Sequence, residues 1–214
     1  MAARDNASGG PAPIRVFLAS SNSGKLREYR ELAGSSGLEV DLLPGFRDIS
    51  LFEESAPTFA ENGAGKALYY SRFTRELLLA EDSGLVVPAL GGAPGVHSAR
   101  YAGPDATDAD CVRKLLRAME GKSGDERRAR FVCVTVLARQ GRALAVVSDL
   151  VEGILTEEPR GANGFGYDPV FLLPDLGRTS AEIPPEEKNA RSHRGKAFRK
   201  MMDLLLDPNL SLLS

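Results

Sequence analysis

The chain has 214 residues, 43% of them hydrophobic, enough to bury the core of one large domain or two small lobes. Its formal net charge of -2 gives no global drive toward nucleic acid or an anionic membrane, and the lack of Trp and the few Tyr argue against a stacking platform for single strands. No apolar stretch approaches the ~20 residues of a membrane-spanning helix. Cys111 and Cys133 stand far apart with no CxxC spacing or His partner, so neither a disulfide framework nor a zinc site is indicated. The expectation is a protein of the reducing cytoplasm that meets a small molecule, with no nucleic acid and no membrane as partner.

Residues 1–13, "MAARDNASGGPAP", lack the apolar region of a secretory signal and read as a disordered tail, leaving 14–214 as a single domain. "IRVFLA", Ile14 to Ala19, reads as a short buried strand, after which Leu26, Tyr29, Leu32 and Ala33 recur at helical spacing. "LEVDLL" is a second strand. "PTFAENGAGKALYYSRF" starts a helix at Pro57 and Thr58, with Glu61 placed as in a capping box. Gly63 and Gly65 weaken that helix by about 1 kcal/mol each relative to Ala. "LLLAED", Leu77 to Asp82, is a buried strand that delivers two acids to its end before Ser83 and Gly84. "TDADCVRKLLRAME" is an amphipathic helix with Thr107 as cap and Val112, Leu115, Leu116 and Met119 on its apolar face. "ARFVCVTVLARQGRALAVVSDLVEG" reads as a hairpin turning near Gln140 and Gly141, "DPVFLL" as a further strand, and about Glu186 to Leu206 as a final helix. The alternation predicts an α/β fold with a mixed sheet.

Four clusters carry chemistry. Ser20, Ser21, Asn22, Ser23, Gly24 and Lys25 follow the first strand and open a helix, an arrangement that suits a phosphate. It is not a Walker loop, because Ala19 and Leu26 stand where that motif needs Gly and Ser or Thr. Read blandly, the same residues are a polar loop that caps the helix. Glu81, Asp82, Ser83 and Gly84, with Glu53, Glu54 and Glu61 upstream, offer oxygen ligands to a hard cation or a base for water; the bland alternative is an Asp-Ser-Gly turn. The cap with Thr58 already occupies Glu61, which ranks it below Glu53 and Glu54.

"PRGANGFGYDP", Pro159 to Pro169, sets aromatics in a glycine-hinged loop, where one can face a planar base while Asp168 accepts hydrogen bonds from it; as a bulged turn it would serve only the core. "EEKNARSHRGKA" groups Lys188, His193 and Arg194, which can bind phosphate or a purine carbonyl or can be a solvated helix face. His97 has no metal-like spacing to any partner and reads as structural.

Together these motifs resemble the inosine triphosphate pyrophosphatase-like family, which hydrolyses non-standard purine nucleoside triphosphates. The resemblance runs from Ile14 to the last helix through "SSNSGKLREY", "TFAENGAGKA", "EDSGLVVPALGGAPGVHSARYAG", "ARFVCV", "PRGANGFGYDPVF", "TSAEIPPEEKN" and "SHRGKA". It implies a mixed, twisted central sheet flanked by helices, two lobes around an elongated nucleotide cleft, a homodimer, and magnesium-dependent cleavage of ITP, dITP or XTP to the monophosphate and pyrophosphate. It makes Asp82 the catalytic carboxylate and a metal ligand, with Glu53 rather than Glu54 as the second ligand. Substrate binding falls to Ser20, Ser21, Asn22, Ser23, Gly24, Lys25, Ser83, Phe165, Gly166, Tyr167, Asp168, Lys188, His193 and Arg194. Ser21 stands where the family often has Gly, Glu81 replaces the first Asp of Asp-Asp-Ser-Gly, and Gly63 and Gly65 interrupt a helix usually richer in aliphatics. Two other readings are a Maf-like pyrophosphatase acting on pyrimidine or modified nucleotides and a nucleotide-binding module without catalysis.

Overall fold

The strands meet in one mixed seven-stranded sheet in a computed structural model that describes residues 13–207. The predicted tail therefore lies outside the described residues, apart from Pro13. The first unit is the predicted strand, loop and helix: β1 (Ile14–Leu18) leads into α1 (Ser23–Ala33), capped by the Asn22 side chain, which accepts from the Lys25 amide at 3.1 Å. β2 (Leu38–Leu42) then pairs parallel with β1. Next come α2 (Phe59–Tyr70), capped by Thr58 as expected, and β3 (Leu77–Val86). α3 (Asp108–Ala118) precedes the hairpin of β4 (Arg128–Arg139) and β5 (Arg142–Leu155). Its turn is Gln140 and Gly141, both at positive φ, the geometry that matches the twist of the flanking strands. β6 (Phe171–Leu173), β7 (Arg178–Thr179), α4 (Pro185–Arg191) and α5 (His193–Leu206) complete the order β2-β1-β3-β4-β5-β6-β7.

Three expectations are corrected. β3 does not stop at its acids, because Glu81 to Val86 remain paired antiparallel with Thr135 to Arg130 of β4. Only its parallel partner stops: β1 pairs with β3 over Leu77 to Leu79 and then turns away into the Ser20–Lys25 loop. The acids thus sit just past the carboxyl end of the parallel pair, where open α/β sheets place their ligands. The final helix is two helices. Ser192 is extended, at φ -65° and ψ 156°, and caps α5 by accepting from the Gly195 amide at 3.0 Å. A Cβ at Gly195 would run into the Asn189 carbonyl, so glycine lets the two helix ends meet. Likewise "DPVFLL" begins as a 3-10 turn, Asp168–Val170, before β6.

The core lies on both faces of the sheet, and the faces sort the residues of β3. Leu77 and Leu79 pack with Tyr29, Phe198 and Met201 on the α1 and α5 side, whereas Leu78 and Ala80 pack with Ala67 and Tyr70 on the α2 side. Strand side chains alternate. Continuing the count, Glu81 faces α1 and α5, and Asp82 faces α2.

Candidate active site

On the α1 and α5 face, Glu81 is the centre of a buried charge network. It is 3% exposed and accepts from Arg194 Nε at 2.8 Å and Nη2 at 2.6 Å, from the Tyr29 hydroxyl at 2.5 Å and from Ser83 Oγ at 2.7 Å, with Lys25 Nζ 3.0 Å away. Burial would raise its pKa, but Arg194 and Lys25 outweigh that and hold the carboxyl well below its ordinary value. Glu28 extends the network, pairing with Arg194 and, at 2.8 Å, with Lys188, which reaches Asp168 at 2.5 Å. Burial raises the Asp168 pKa against the pull of Lys188. The buried polar groups therefore form one satisfied chain, which fixes side chains on α1, β3, α4, α5 and the Phe165–Asp168 loop.

Around this chain lies a cavity lined by Asn22, Lys25, Ser83 and the arc Phe165, Gly166, Tyr167, Asp168, Lys188, His193 and Arg194. The Phe165 ring lies beneath Lys188 Nζ and the Arg194 guanidinium, 4.8 and 5.5 Å from its centroid. His193 stacks on Phe131 with ring centroids 4.8 Å apart and 9° between planes. Burial, then Arg194, pushes the His193 pKa well below 6.5, so its ring is neutral at pH 7, and its buried Nδ1 has no hydrogen-bond partner. The cavity thus offers flat surfaces and cationic donors, which suits a planar heterocycle bearing carbonyls.

On the other face, Asp82 opens into a second cavity with Ser20, Ser21, Glu53, Glu54, Lys66, His97 and Arg100. Asn22, Lys25, Ser83 and Ala99 line both cavities, so the two adjoin. Asp82 Oδ1 accepts from the Ser83 amide at 3.0 Å, while Oδ2 is buried with no partner. Burial raises the Asp82 pKa; Lys66 opposes the rise and Glu54 adds to it. Glu54 is paired with Lys66 at 2.6 Å, whereas Glu53 has no ion-pair partner among the described residues. No cluster of three or more metal-binding side chains occurs among the described residues. An orphaned carboxylate oxygen, with Glu53 and Glu54 lining the same cavity, fits a hard cation that takes its other ligands from water and phosphate.

Every substrate or metal residue named from the sequence lines one of the two cavities except Ser23 and Gly24. Those two form the first turn of α1, where a Cβ at Gly24 would come within 2.9 Å of the Phe165 ring. The two glycines of α2 are also explained. Gly63 faces the Asp82 amide and Val134 carbonyl, each 3.5 Å from where its Cβ would sit, and at Gly65 the Phe52 ring occupies the space a Cβ would need. Sequence reasoning missed Glu28, Tyr29, Lys66, Arg100 and Asp108. Asp108 holds the Phe165–Asp168 loop, accepting from the Gly166 amide at 2.7 Å.

A model of the Ham1 family matches residues 16–204. The chain belongs to the Ham1 family. Among its relatives, a dITP/XTP pyrophosphatase of Geobacillus kaustophilus is 50% identical over 186 residues, covering 87% of this chain and 91% of that protein. A solved structure of a HAM1 protein from Coxiella burnetii has a TM-score of 0.79 at 42% identity, covering 90% of this chain and 98% of that one. A nucleoside-triphosphatase / dITP/XTP pyrophosphatase from Mycobacterium abscessus gives 0.67 at 36% identity, covering 90% and 100%. These Ham1 structures share the mixed sheet with flanking helices. Among the described residues no helix is long and apolar enough to cross a membrane.

Proposed function

We propose that this Ham1 protein hydrolyses non-standard purine nucleoside triphosphates such as dITP and XTP to the monophosphate and pyrophosphate, removing them from the cytoplasmic nucleotide pool. The observation that carries the reading is the pair of adjoining cavities on either side of one strand, one built for a planar keto base, the other holding an orphaned carboxylate oxygen among phosphate-type donors. The two act as one elongated cleft between two lobes.

In the first cavity Phe165 gives the base a face, and Lys188, Arg194 and the neutral His193 meet its carbonyls. A buried donor that rewards a 6-keto group is left unpaired by adenine, which supplies discrimination. Lys25, at the junction, draws the phosphates across β3. Asp82 orients a water and accepts its proton as the water oxygen attacks the α-phosphorus. The bond from that phosphorus to the bridging oxygen breaks, and the electron pair leaves with pyrophosphate. Asp82 with Glu53 would hold magnesium, which when bound neutralises charge on the phosphate oxygens. Glu54, already paired with Lys66, is the weaker candidate. The functional form is a homodimer, which sedimentation would check.

The test is product analysis with dITP, XTP, dTTP and UTP in the presence and absence of magnesium. Pyrophosphate and monophosphate from the keto purines support the reading; orthophosphate and diphosphate, or a preference for pyrimidines, sink it. Asp82→Asn should lose at least ~100-fold in kcat while still binding nucleotide, as expected on removal of a general base. Absence of turnover in the wild type would instead mark a binding module.

A further inference from the structure

His97 was set aside by its sequence context, yet the structure brings it into the second cavity beside Arg100. We propose that these two residues form the seat of the leaving pyrophosphate, holding the two terminal phosphates. The assignment rests on the pyrophosphatase reading above.

Position is the first argument. Asn22, Lys25, Ser83 and Ala99 line both cavities and mark the junction, whereas His97 and Arg100 line only the second. A nucleotide with its base in the first cavity passes the junction at its α-phosphate and presents its terminal phosphates beyond it.

Charge is the second. The second cavity contains three carboxylates, Asp82, Glu53 and Glu54, and four groups able to carry positive charge, Lys25, Lys66, His97 and Arg100. Two of those four are already committed: Lys25 lies 3.0 Å from Glu81, and Lys66 lies 2.6 Å from Glu54. Arg100 donates only to a neutral acceptor, the Glu54 carbonyl, at 2.9 Å, and the His97 side chain has no partner among the described residues. Beyond the junction these are the side-chain donors left for a polyanion, and a guanidinium fork matches phosphate oxygens in two-pronged fashion.

Rigidity is the third. Both residues sit on the 3-10 helix Gly95–Arg100, which Ser98 ties down: its Oγ accepts from the Leu85 amide at 2.9 Å and donates to the Gly95 carbonyl at 2.6 Å. The Ser98 carbonyl accepts from the Tyr167 hydroxyl at 2.8 Å, so the same turn is fixed to the loop that lines the base cavity. The distance from base to terminal phosphates is therefore set by the fold. As the bond at the α-phosphorus breaks, negative charge develops on the departing pyrophosphate, and Arg100 and His97 stabilise it there.

The test compares wild type, Arg100→Ala, Arg100→Lys and His97→Ala by calorimetric titration with inorganic pyrophosphate and, separately, with the nucleoside monophosphate, alongside turnover of XTP. The expected result is a pyrophosphate affinity about tenfold or more weaker in each alanine variant, the scale of one charge-assisted contact. Arg100→Lys should recover part of it, and monophosphate affinity should stay within about twofold, which also shows that the variants fold. Unchanged pyrophosphate affinity, or an equal loss for both ligands, overturns the assignment. The two levels fail separately: a wild type that releases pyrophosphate from XTP with variants that bind it normally refutes only this seat, whereas a wild type that releases none refutes the reaction as well.

Discussion

Replacing Glu81 by Gln keeps the shape of the side chain and removes the charge on which the buried network converges. Arg194, 2% exposed, would lose its two-pronged partner and keep Glu28 as its only carboxylate beside a 3.3 Å contact to Ser83 Oγ, while Lys25 would lose its carboxylate. The new amide would also turn a donor toward a cluster of donors, since Arg194, Tyr29 and Ser83 all donate to Glu81. Breaking a buried pair by removing one partner costs about 3 to 5 kcal/mol. Against a total stability of about 5 to 15 kcal/mol for a domain of ordinary stability, that is a large fraction. Glu81→Asp keeps the charge on a shorter arm and should lose about 1 to 2 kcal/mol, the scale of one or two hydrogen bonds. Urea denaturation of the three proteins measures the order directly. Activity should follow a different pattern: with Arg194 and Lys25 released, KM for XTP rises and the preference for keto purines over dATP narrows, while the Asp82 face is touched least. A Glu81→Gln protein within about 0.5 kcal/mol of wild type, the usual scale for an inert surface change, would refute the network as the organiser of the site.

Three further outcomes follow from close contacts and one buried ring. Gly65→Ala adds helix propensity worth about 1 kcal/mol but drives Phe52 aside at an overpacking cost of about 1 to 3 kcal/mol. The net loss of about 0 to 2 kcal/mol should lower the melting temperature by no more than about 8 °C, while turnover falls because Phe52 directly precedes Glu53 and Glu54. Gly24→Ala crowds Phe165 and should raise KM for nucleotide more than it lowers kcat, read from initial rates. The His193 pKa lies well below 6.5 in the folded protein, so below pH 6.5 the unfolded chain binds the proton that the folded chain refuses. Stability from this group is fully present above pH 6.5 and is lost as pH falls from there toward the folded pKa; His193→Gln should flatten that limb in denaturation measured across pH 7 to 5.

Much of the fold was legible because it is written locally. The Asn22 and Thr58 caps, the Gln140 and Gly141 turn and the alternation in "LLLA" each need only neighbouring residues, and each is present. The break at Ser192 was not read, since "EEKNARSHRGKAFRK" is helical by propensity and the tight approach of the Asn189 carbonyl to Gly195 shows only in three dimensions. The roles of Glu81 and Asp82 were separated only by the family resemblance, which singled out Asp82, and not by the residues themselves. Two adjacent acids look alike until the faces of their strand are assigned, and that takes α2 on one side and α5 on the other. Glu28 gave no signal at all: a glutamate in "KLREYRE" reads as solvent-facing, and its burial depends on Lys188, 160 residues away.

The adjacency of Glu81 and Asp82 has an effect on how this protein can change over generations. On the proposed function, selectivity for the base and competence for hydrolysis would be written on opposite sides of a single strand, one peptide unit apart, so each could be tuned by substitutions that leave the other side alone. Length is a different matter. Deleting or inserting one residue between Leu79 and Glu81 would rotate every later side chain to the wrong side, setting Asp82 against Arg194 and turning it away from Glu53 and Glu54. Family members should therefore vary freely in composition around this strand and hardly at all in its residue count.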